Sequence, residues 1–322
     1  MKIVVFGKDA RLGVVQQDRI LGLAAAADAA GLDVASTSGA APFTSLLALI
    51  EAGEYGLDLV RRLADDFAGS DQPGLHADLF AEQLHAPFPG RRFAAAGSNH
   101  AAHVANARIN SGKPADVDEI RATTRQGPGG GFWTVSPPVG DDAEIPVPKK
   151  SRGMFDYEGE VAIVLGKGGK GIRAEGWRDH VWGVTLVIDW SIRDGARPTR
   201  MPFYAHKVFD GSKSLGPWIA VDEVDPLACM VETRVNGELR QRFVSGEMIH
   251  SYGELLEQIS EDFTLLPGDI LSGGTGAGTA VDSTVPDGDG QLPLDLFLKP
   301  GDRVEVSAPS LGTLRATIVA NT

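Results

Sequence analysis

The sequence predicts a mostly β chain, α+β overall, whose main domain is a sandwich or is barrel-like. From Glu158 onward, short runs rich in β-branched residues recur between turn signals, a pattern typical of such folds. A single good helix, over residues 252–261, interrupts them with its apolar residues on one face. Pro-Gly-Asp turns at 267–269 and 300–302 each lead into a strand. The predicted strands lie at 161–165, 182–188, 217–221, 230–235, 269–272, 303–307 and 314–319.

Ahead of this region, residues 1–90 are predicted to form a small α+β domain, and residues 91–322 form the catalytic domain. Pro87, Pro89 and Gly90 break the preceding pattern and mark the linker. No residue of the first domain is predicted to be catalytic. Its predicted elements are strands at 2–6, 12–16 and 19–23 and helices at 44–51, 55–67 and 75–84.

The charge balance of the chain limits its partners. The 322 residues include 30 Lys and Arg against 43 Asp and Glu, which gives a net charge of −13. An acidic surface argues against general binding to nucleic acid or anionic membranes, although a metal can still attract an anionic substrate. The single cysteine, Cys229, excludes an internal disulfide and a multi-cysteine metal site. Because we find no signal peptide and no run of membrane-spanning length, we expect a cytoplasmic protein.

Three carboxylates near two apolar runs are candidate metal ligands. Glu158 and Glu160 precede the run at 161–165, and Asp189 ends a second run. Side chains two apart on a strand share a face, and like charges so close repel unless a cation lies between them. An all-oxygen site suits Mg²⁺, Mn²⁺ or Ca²⁺ rather than zinc. The alternative is an amphipathic strand whose acids are solvated.

Four further features carry groups that could take part in chemistry. His103 could act as a base, Lys207 could hold an anionic oxygen or stabilise an enolate, and Arg193 could pair with a carboxylate. The glycine-rich run that contains Gly274 and Thr275 would let backbone N–H groups approach an anion. Each feature also has an ordinary explanation: a structural histidine, a surface lysine or arginine, or a flexible loop.

Taken in order, these motifs resemble the fumarylacetoacetate hydrolase family over roughly residues 93–320. The run at 156–160 is similar to the family's Asp-Tyr-Glu-x-Glu metal strand. The run at 189–194 is similar to its Asp-x-Ser/Thr-x-Arg-Asp motif. Each motif alone is weak, and their shared order makes the resemblance specific. The further motifs follow in family order at 207–210, 215–218, 236–238, 266–269, 274–275 and 300–302.

The resemblance implies a fold and a cofactor. The fold would be a β-sandwich roll with a partly closed β-barrel, usually a homodimer. The cofactor would be a divalent metal, usually Mg²⁺ or Mn²⁺, held by Glu158, Glu160 and Asp189. The substrate would be a small 2-oxo or 1,3-diketo acid that chelates the metal through neighbouring oxygens.

The resemblance also implies roles for the other residues. The first expectation is a metal-dependent hydrolase that cleaves a C–C bond in an acylpyruvate or related diketo acid. His103 would be the general base and Lys207 the clamp for an enolate or carboxylate. Substrate contacts are expected from Arg193, Gly274 and Thr275.

One departure from the family pattern concerns the segment from residue 98 to 135, predicted as either a lid or a disordered insertion. His103 matches the family's lid histidine, but Asn106 stands where the hydrolases carry the glutamate that helps to activate water. Asparagine can orient an imidazole but cannot stabilise its charged form as a carboxylate would. The alternative is therefore a hydratase, dehydratase or decarboxylase of a small 2-oxo acid. A third hypothesis is a non-enzymatic relative that keeps the fold and the metal.

Overall fold

The computed structural model describes residues 1–32, 42–110, 112–127, 129–194, 206–222, 224–289 and 291–321. In chain order, strands β1–β18 are Lys2–Phe6, Arg11–Gln16, Arg19–Gly22, His76–Asp78, Leu84–His85, Phe93–Gly97, Gly130–Thr134, Ala143–Pro146, Phe155–Asp156, Gly159–Leu165, Val181–Asp189, Ser191–Ile192, Lys213–Ala220, Met230–Val235, Glu238–Val244, Ile270–Thr275, Arg303–Ala308 and Gly312–Val319. Helices α1–α7 are Leu23–Ala29, Leu46–Glu51, Gly53–Asp66, Ala101–Asn110, Val117–Arg125, Tyr252–Ser260 and Ala280–Ser283. Two short 3₁₀ helices are Ala174–His180 and Ser245–Glu247.

Two sheets pack face to face as a sandwich. Within the described residues, the larger sheet has eleven strands in the order β4-β3-β2-β1-β13-β11-β10-β16-β6-β7, with β5 beside β1. The smaller sheet has the order β15-β14-β17-β18-β8. Apolar side chains such as Leu186, Val306 and Leu314 fill the space between them. The predicted mostly β, α+β sandwich is confirmed, and the larger sheet is open because β4 and β7 are its two ends.

The central strand β10 is buried on both faces, as its uninterrupted apolar run requires. One face packs on the smaller sheet through Val161 and, further along the strand, on helix α6 through Ile163 and Leu165. The other face packs through Ala162 and Val164 on the cluster that contains the apolar faces of α1–α3. Helix α6 begins with a capping box between Ser251 and Glu254, which satisfies backbone donors at its first turn. Because β10 is fixed on both sides, the acids at its start are held in place.

The N-terminal strands continue the same large sheet. Strand β1 pairs antiparallel with β13, with Ile3 opposite Ile219. Helices α1–α3 bury their apolar faces in a cluster that also contains Val187 and Leu215, from beyond residue 90. The division at residue 90 stays a prediction, and the two regions share one sheet and one apolar cluster.

Several predicted elements can be compared with the structure directly. The strands expected in the first 23 residues and the helix expected at 252–261 are present. The helix expected at 75–84 is wrong: β4 pairs there with β3, turns follow, and Phe80 is 84% exposed. The segment between residues 98 and 135 contains helices α4 and α5 and strand β7. Among the described residues, no helix has the length and apolar character needed to cross a membrane.

The burial of Leu215 in the cluster shared by the two regions predicts that its loss lowers the free energy of unfolding more than the loss of an exposed leucine does. Leu215 is fully buried in β13, whereas Leu239 in β15 is 41% exposed. We expect Leu215→Ala to lower the free energy of unfolding by about 2–5 kcal/mol, because it leaves a cavity in the core. Leu239→Ala should change it by about 0.5 kcal/mol or less. Urea denaturation of both variants measures this difference, and equal losses would contradict the described core.

Candidate metal centre and active site

Three carboxylates meet where strand β10 begins and the neighbouring strand β11 ends. Glu158 directly precedes β10, Glu160 lies on it, and Asp189 ends β11. Strands β10 and β11 are antiparallel with Gly159 opposite Ile188, and the Asp189 N–H donates to the Glu158 carbonyl at 2.9 Å. Carboxylate oxygens of the three acids lie within 4.8 Å of one another, and all three residues are buried. The strand register therefore brings the three predicted ligands together.

Three buried or nearly buried cations surround this cluster. Lys207 Nζ donates to Glu158 Oε2 and lies 3.2 Å from Asp189 Oδ2. Arg193 Nη2 donates to Glu158 Oε1 at 2.5 Å. Lys213 Nζ lies 2.7 Å from Asp189 Oδ1. Most of the cluster's negative charge is thus matched by direct ion pairs, which buried charges require.

A fourth buried carboxylate, Asp156, fixes the arginine. Arg193 Nε donates to Asp156 Oδ2 at 2.9 Å. The backbone N–H groups of Ala280 and Val281 also donate to Asp156, at 2.8 and 3.1 Å. Asp156 therefore connects the acid cluster to the start of helix α7.

The four carboxylates outnumber the three cations, and the excess charge falls on Glu160. Within the described residues Glu160 has no ion-pair partner and accepts a hydrogen bond from Ser272 Oγ. Burial, with Asp189 and Glu158 nearby, raises the pKa of Glu160 to about 8. Burial also disfavours the charged form of Glu158, but Lys207 and the neighbouring cations hold that pKa well below its usual range. Two close acids with pKa values pushed apart are typical of carboxylates that share a site.

The cluster fits a divalent metal on chemical grounds. Asp189 Oδ1 is buried and accepts no aligned hydrogen bond within the described residues, although Lys213 lies near it. A cation among Glu158, Glu160 and Asp189 would meet only oxygen ligands and would stabilise Glu160 in its ionised form. Mg²⁺, Mn²⁺ and Ca²⁺ all suit this donor set.

A histidine from helix α4 faces the acids. His103 Nδ1 lies 2.8 Å from Asp282 Oδ2, and the Asp282 side chain is fully buried. Because an ionised carboxylate can only accept, Nδ1 donates, and in the neutral imidazole Nε2 then carries the free lone pair. His103 Nε2 lies 3.9 Å from Glu158 Oε1. Nε2 of this candidate base therefore faces the acid cluster, while the opposite ring nitrogen, Nδ1, is held by the Asp282 carboxylate.

Asp282 was not found by sequence reasoning, which considered Asn106 for the same place. Within the part of the chain that the structure describes, the Asn106 side chain forms no hydrogen bond, so its catalytic role stays a prediction. A neighbouring histidine, His100, is buried, and its ring centroid lies 5.3 Å from that of Phe243 in an edge-to-face arrangement. Burial, with help from the nearby charges, lowers the pKa of His100 to about 3. It is therefore a neutral packing group rather than a base.

The glycine-rich run is partly a strand rather than a loop, because residues 272–275 belong to β16. Thr275 Oγ1 donates to the Gly159 carbonyl at 2.9 Å and accepts from Gln241 Nε2 at 2.8 Å. Gly274 has φ +88°, and a Cβ there would lie 3.2 Å from the Ala96 carbonyl oxygen. Thr275 therefore ties β16 to its neighbours beside the acids, and Gly274 allows the close approach of the Ala96 backbone. The substrate contacts of both residues stay predictions.

The acids open onto a cavity of about 120 Å³, which we call the inner cavity. Strand β7 contributes Phe132 to its wall, and Ser98 and His103 contribute from the segment that carries α4. The predicted residues that line the inner cavity are His103, Glu158, Glu160, Asp189, Arg193, Lys207 and Thr275. A small polar cavity of this kind suits a charged ligand of few atoms.

Comparison with known proteins identifies the family. The sequence model described as fumarylacetoacetate (FAA) hydrolase, C-terminal, matches residues 92–319. The chain belongs to the fumarylacetoacetate hydrolase family. The resemblance drawn from the motifs is therefore confirmed, and the coarse conclusion is an enzyme of this family.

Individual relatives carry different activities. The chain is 32% identical over 276 residues to the oxaloacetate tautomerase YisK of Bacillus subtilis (strain 168). This alignment covers 84% of this chain and 85% of YisK. The structure of a fumarylacetoacetate hydrolase from psychrophilic Exiguobacterium antarcticum matches over 100% of both chains with a TM-score of 0.70 and 26% identity. Maleylpyruvate hydrolase from Sphingobium sp. SYK-6, solved with manganese(II) and pyruvate, matches over 100% of both chains with a TM-score of 0.71 and 22% identity. The last likeness supports the fold alone.

The raised pKa of Glu160 predicts that metal binding releases a proton. At pH 7 the metal-free protein holds Glu160 protonated, because its pKa is about 8. A divalent cation needs the ionised carboxylate, so binding should release about one proton at pH 7 and fewer as the pH rises above 8. Calorimetric titration with Mn²⁺ in two buffers of different ionisation enthalpy measures this number. Identical heats in both buffers at pH 7 would contradict the assignment of Glu160 as a ligand.

Proposed function

We propose that this chain is a metal-dependent enzyme that enolises a small 2-oxo acid, and that keto–enol tautomerisation is the reaction its site supports best. The observation that carries the proposal is the base at the acid cluster: His103 Nε2 lies 3.9 Å from Glu158 Oε1 and is held from behind by Asp282. The alignment with an oxaloacetate tautomerase over 84% of this chain supports the same reaction class.

Glu158, Glu160 and Asp189 would hold Mg²⁺ or Mn²⁺, with Ca²⁺ as a further candidate. A divalent cation there would polarise the 2-oxo group and make the neighbouring C–H bond more acidic.

The role of Lys207 follows from its charge. Burial alone would lower the pKa of Lys207, but Asp189 and Glu158 raise it above the usual value. Lys207 therefore stays protonated at neutral pH and stabilises developing negative charge rather than removing protons.

His103 moves the proton. Its Nε2 accepts a proton from the carbon next to the 2-oxo group, and the same nitrogen returns it to oxygen, or the two steps run in reverse. The Asp282 carboxylate stabilises the imidazolium between the two steps. One proton changes place and no water is consumed, so the atoms balance within the substrate.

Hydrolytic C–C cleavage of an acylpyruvate, the first expectation from the sequence, is the second candidate. Asn106 made water activation doubtful because it lacks a charge. The buried Asp282 offers His103 the missing carboxylate from another part of the chain. Water activation by His103 is thus chemically supported, and the lyase alternatives lose the observation that motivated them. The homodimer stays a prediction.

The proposal is tested with two substrates on one preparation. We expect the protein with Mg²⁺ or Mn²⁺ to speed the decay of the ultraviolet absorbance of enol-oxaloacetate above a blank with metal alone. Chelation should abolish this activity and added metal should restore it. Pyruvate release from acetylpyruvate, followed with lactate dehydrogenase, measures the second candidate. Pyruvate release without tautomerisation would favour hydrolysis, and inactivity of the metal-loaded protein toward both substrates would contradict the proposal.

The contact between His103 and Asp282 predicts that Asp282 contributes more to kcat than Asn106 does. Asp282→Asn should lower kcat by about 10²–10⁴, because the amide no longer stabilises the imidazolium and can hold the wrong tautomer. Asn106→Ala should keep kcat within about threefold of the wild type, since that side chain makes no hydrogen bond in the described structure. Steady-state kinetics on the same substrate compares the two, and a larger loss in Asn106→Ala would reverse the assignment.

A further inference from the structure

A second cavity, which we call the outer cavity, lies beside the inner one. It has a volume of about 270 Å³, more than twice that of the inner cavity. Ser98 and His103 line both cavities, so the two adjoin at the proposed base. The residues that line the outer cavity are Ser98, His103, Val104, Ala107, Arg108 and Lys113.

The wall of the outer cavity carries two cations and no carboxylate. Arg108 lies in the last turn of α4, and the Lys113 backbone N–H donates to the Arg108 carbonyl at 3.0 Å. Both side chains are exposed, and within the described residues neither forms an ion pair or a hydrogen bond. In a chain of net charge −13, a cavity wall that carries two cations and is lined by no carboxylate residue attracts anions.

The basic residues of the following helix are used differently. Arg121 donates to the Glu247 carbonyl at 3.1 Å, and Arg125 binds Glu254 at 2.7 Å. These contacts attach α5 to the body of the protein. Arg108 and Lys113 lie between two parts of the segment that are attached to the body of the protein. Their own side chains do not contribute to that attachment.

Helix α4 is also fixed relative to the acids. His103 binds Asp282, and Asn110 Nδ2 donates to the Val281 carbonyl at 3.1 Å. Both partners lie on α7, whose first N–H groups bind Asp156. The cationic wall therefore has a defined position beside the metal cluster.

We propose that Arg108 and Lys113 form a subsite for a carboxylate at the far end of the substrate, so that the enzyme prefers 2-oxo diacids. This inference rests on the proposed function. If the 2-oxo acid group binds at the cluster, the opposite end of the molecule extends past His103 into the outer cavity. A guanidinium there can bind a carboxylate through two parallel hydrogen bonds, and an ammonium adds a point charge.

The test measures binding to the Mn²⁺-loaded protein by calorimetry. The probes are oxalate, which has no far end, and two pairs of equal chain length: 2-oxoglutarate with 2-oxopentanoate, and 2-oxoadipate with 2-oxohexanoate. We expect at least one diacid to bind about tenfold or more tightly than its monoacid. Arg108→Gln/Lys113→Gln should remove that preference and leave oxalate binding unchanged.

The matched control is Lys8→Gln/Lys299→Gln, which removes the same charge from exposed lysines that line neither cavity. It should keep the diacid preference, and loss of the preference there would reduce the effect to net charge. A wild type without diacid preference at either chain length, or a double variant that keeps it, overturns the subsite. If oxalate itself fails to bind, the result contradicts the proposed function and therefore also the subsite that rests on it. Oxalate binding without diacid preference removes the subsite alone.

Discussion

The structure depends on compensating buried negative charge at the start of one strand. Four carboxylates lie out of water there, and three cationic side chains pair with three of them. A buried charge without a partner costs several kcal/mol, so the cluster is stable only with these contacts in place. The remaining excess falls on Glu160, which explains both its raised pKa and its suitability as a metal ligand.

The same compensation positions the proposed base. Asp156 balances Arg193 and also accepts the N–H groups that begin α7. Helix α7 carries Asp282, and Asp282 holds His103 on α4. A chain of charged and hydrogen-bonded contacts thus runs from the acid cluster to the histidine. Chemistry at the cluster and the position of the base are therefore set by one connected network rather than by two separate features.

Sequence reasoning found the parts of the site that a local pattern encodes. Spacing and apolar runs predicted the strands and pointed to Glu158, Glu160 and Asp189, and motif order added Arg193 and Lys207. Two partners were missed because only tertiary structure reveals them. Lys213 meets Asp189 through the β11–β13 register, and Asp282 is 179 positions from His103 along the chain. The helix predicted at 75–84 failed for a related reason, since pairing with β3 outweighs a weak local preference.

The proposed chemistry requires that the three carboxylates hold a divalent cation. Anomalous diffraction from crystals soaked in Mn²⁺ measures this directly. We expect one strong peak among Glu158, Glu160 and Asp189, with Lys207 Nζ moved away from Glu158 because the metal replaces its charge. A map without a peak at the cluster, and with Lys207 still bound to Glu158, would contradict the metal centre and the enolisation that depends on it.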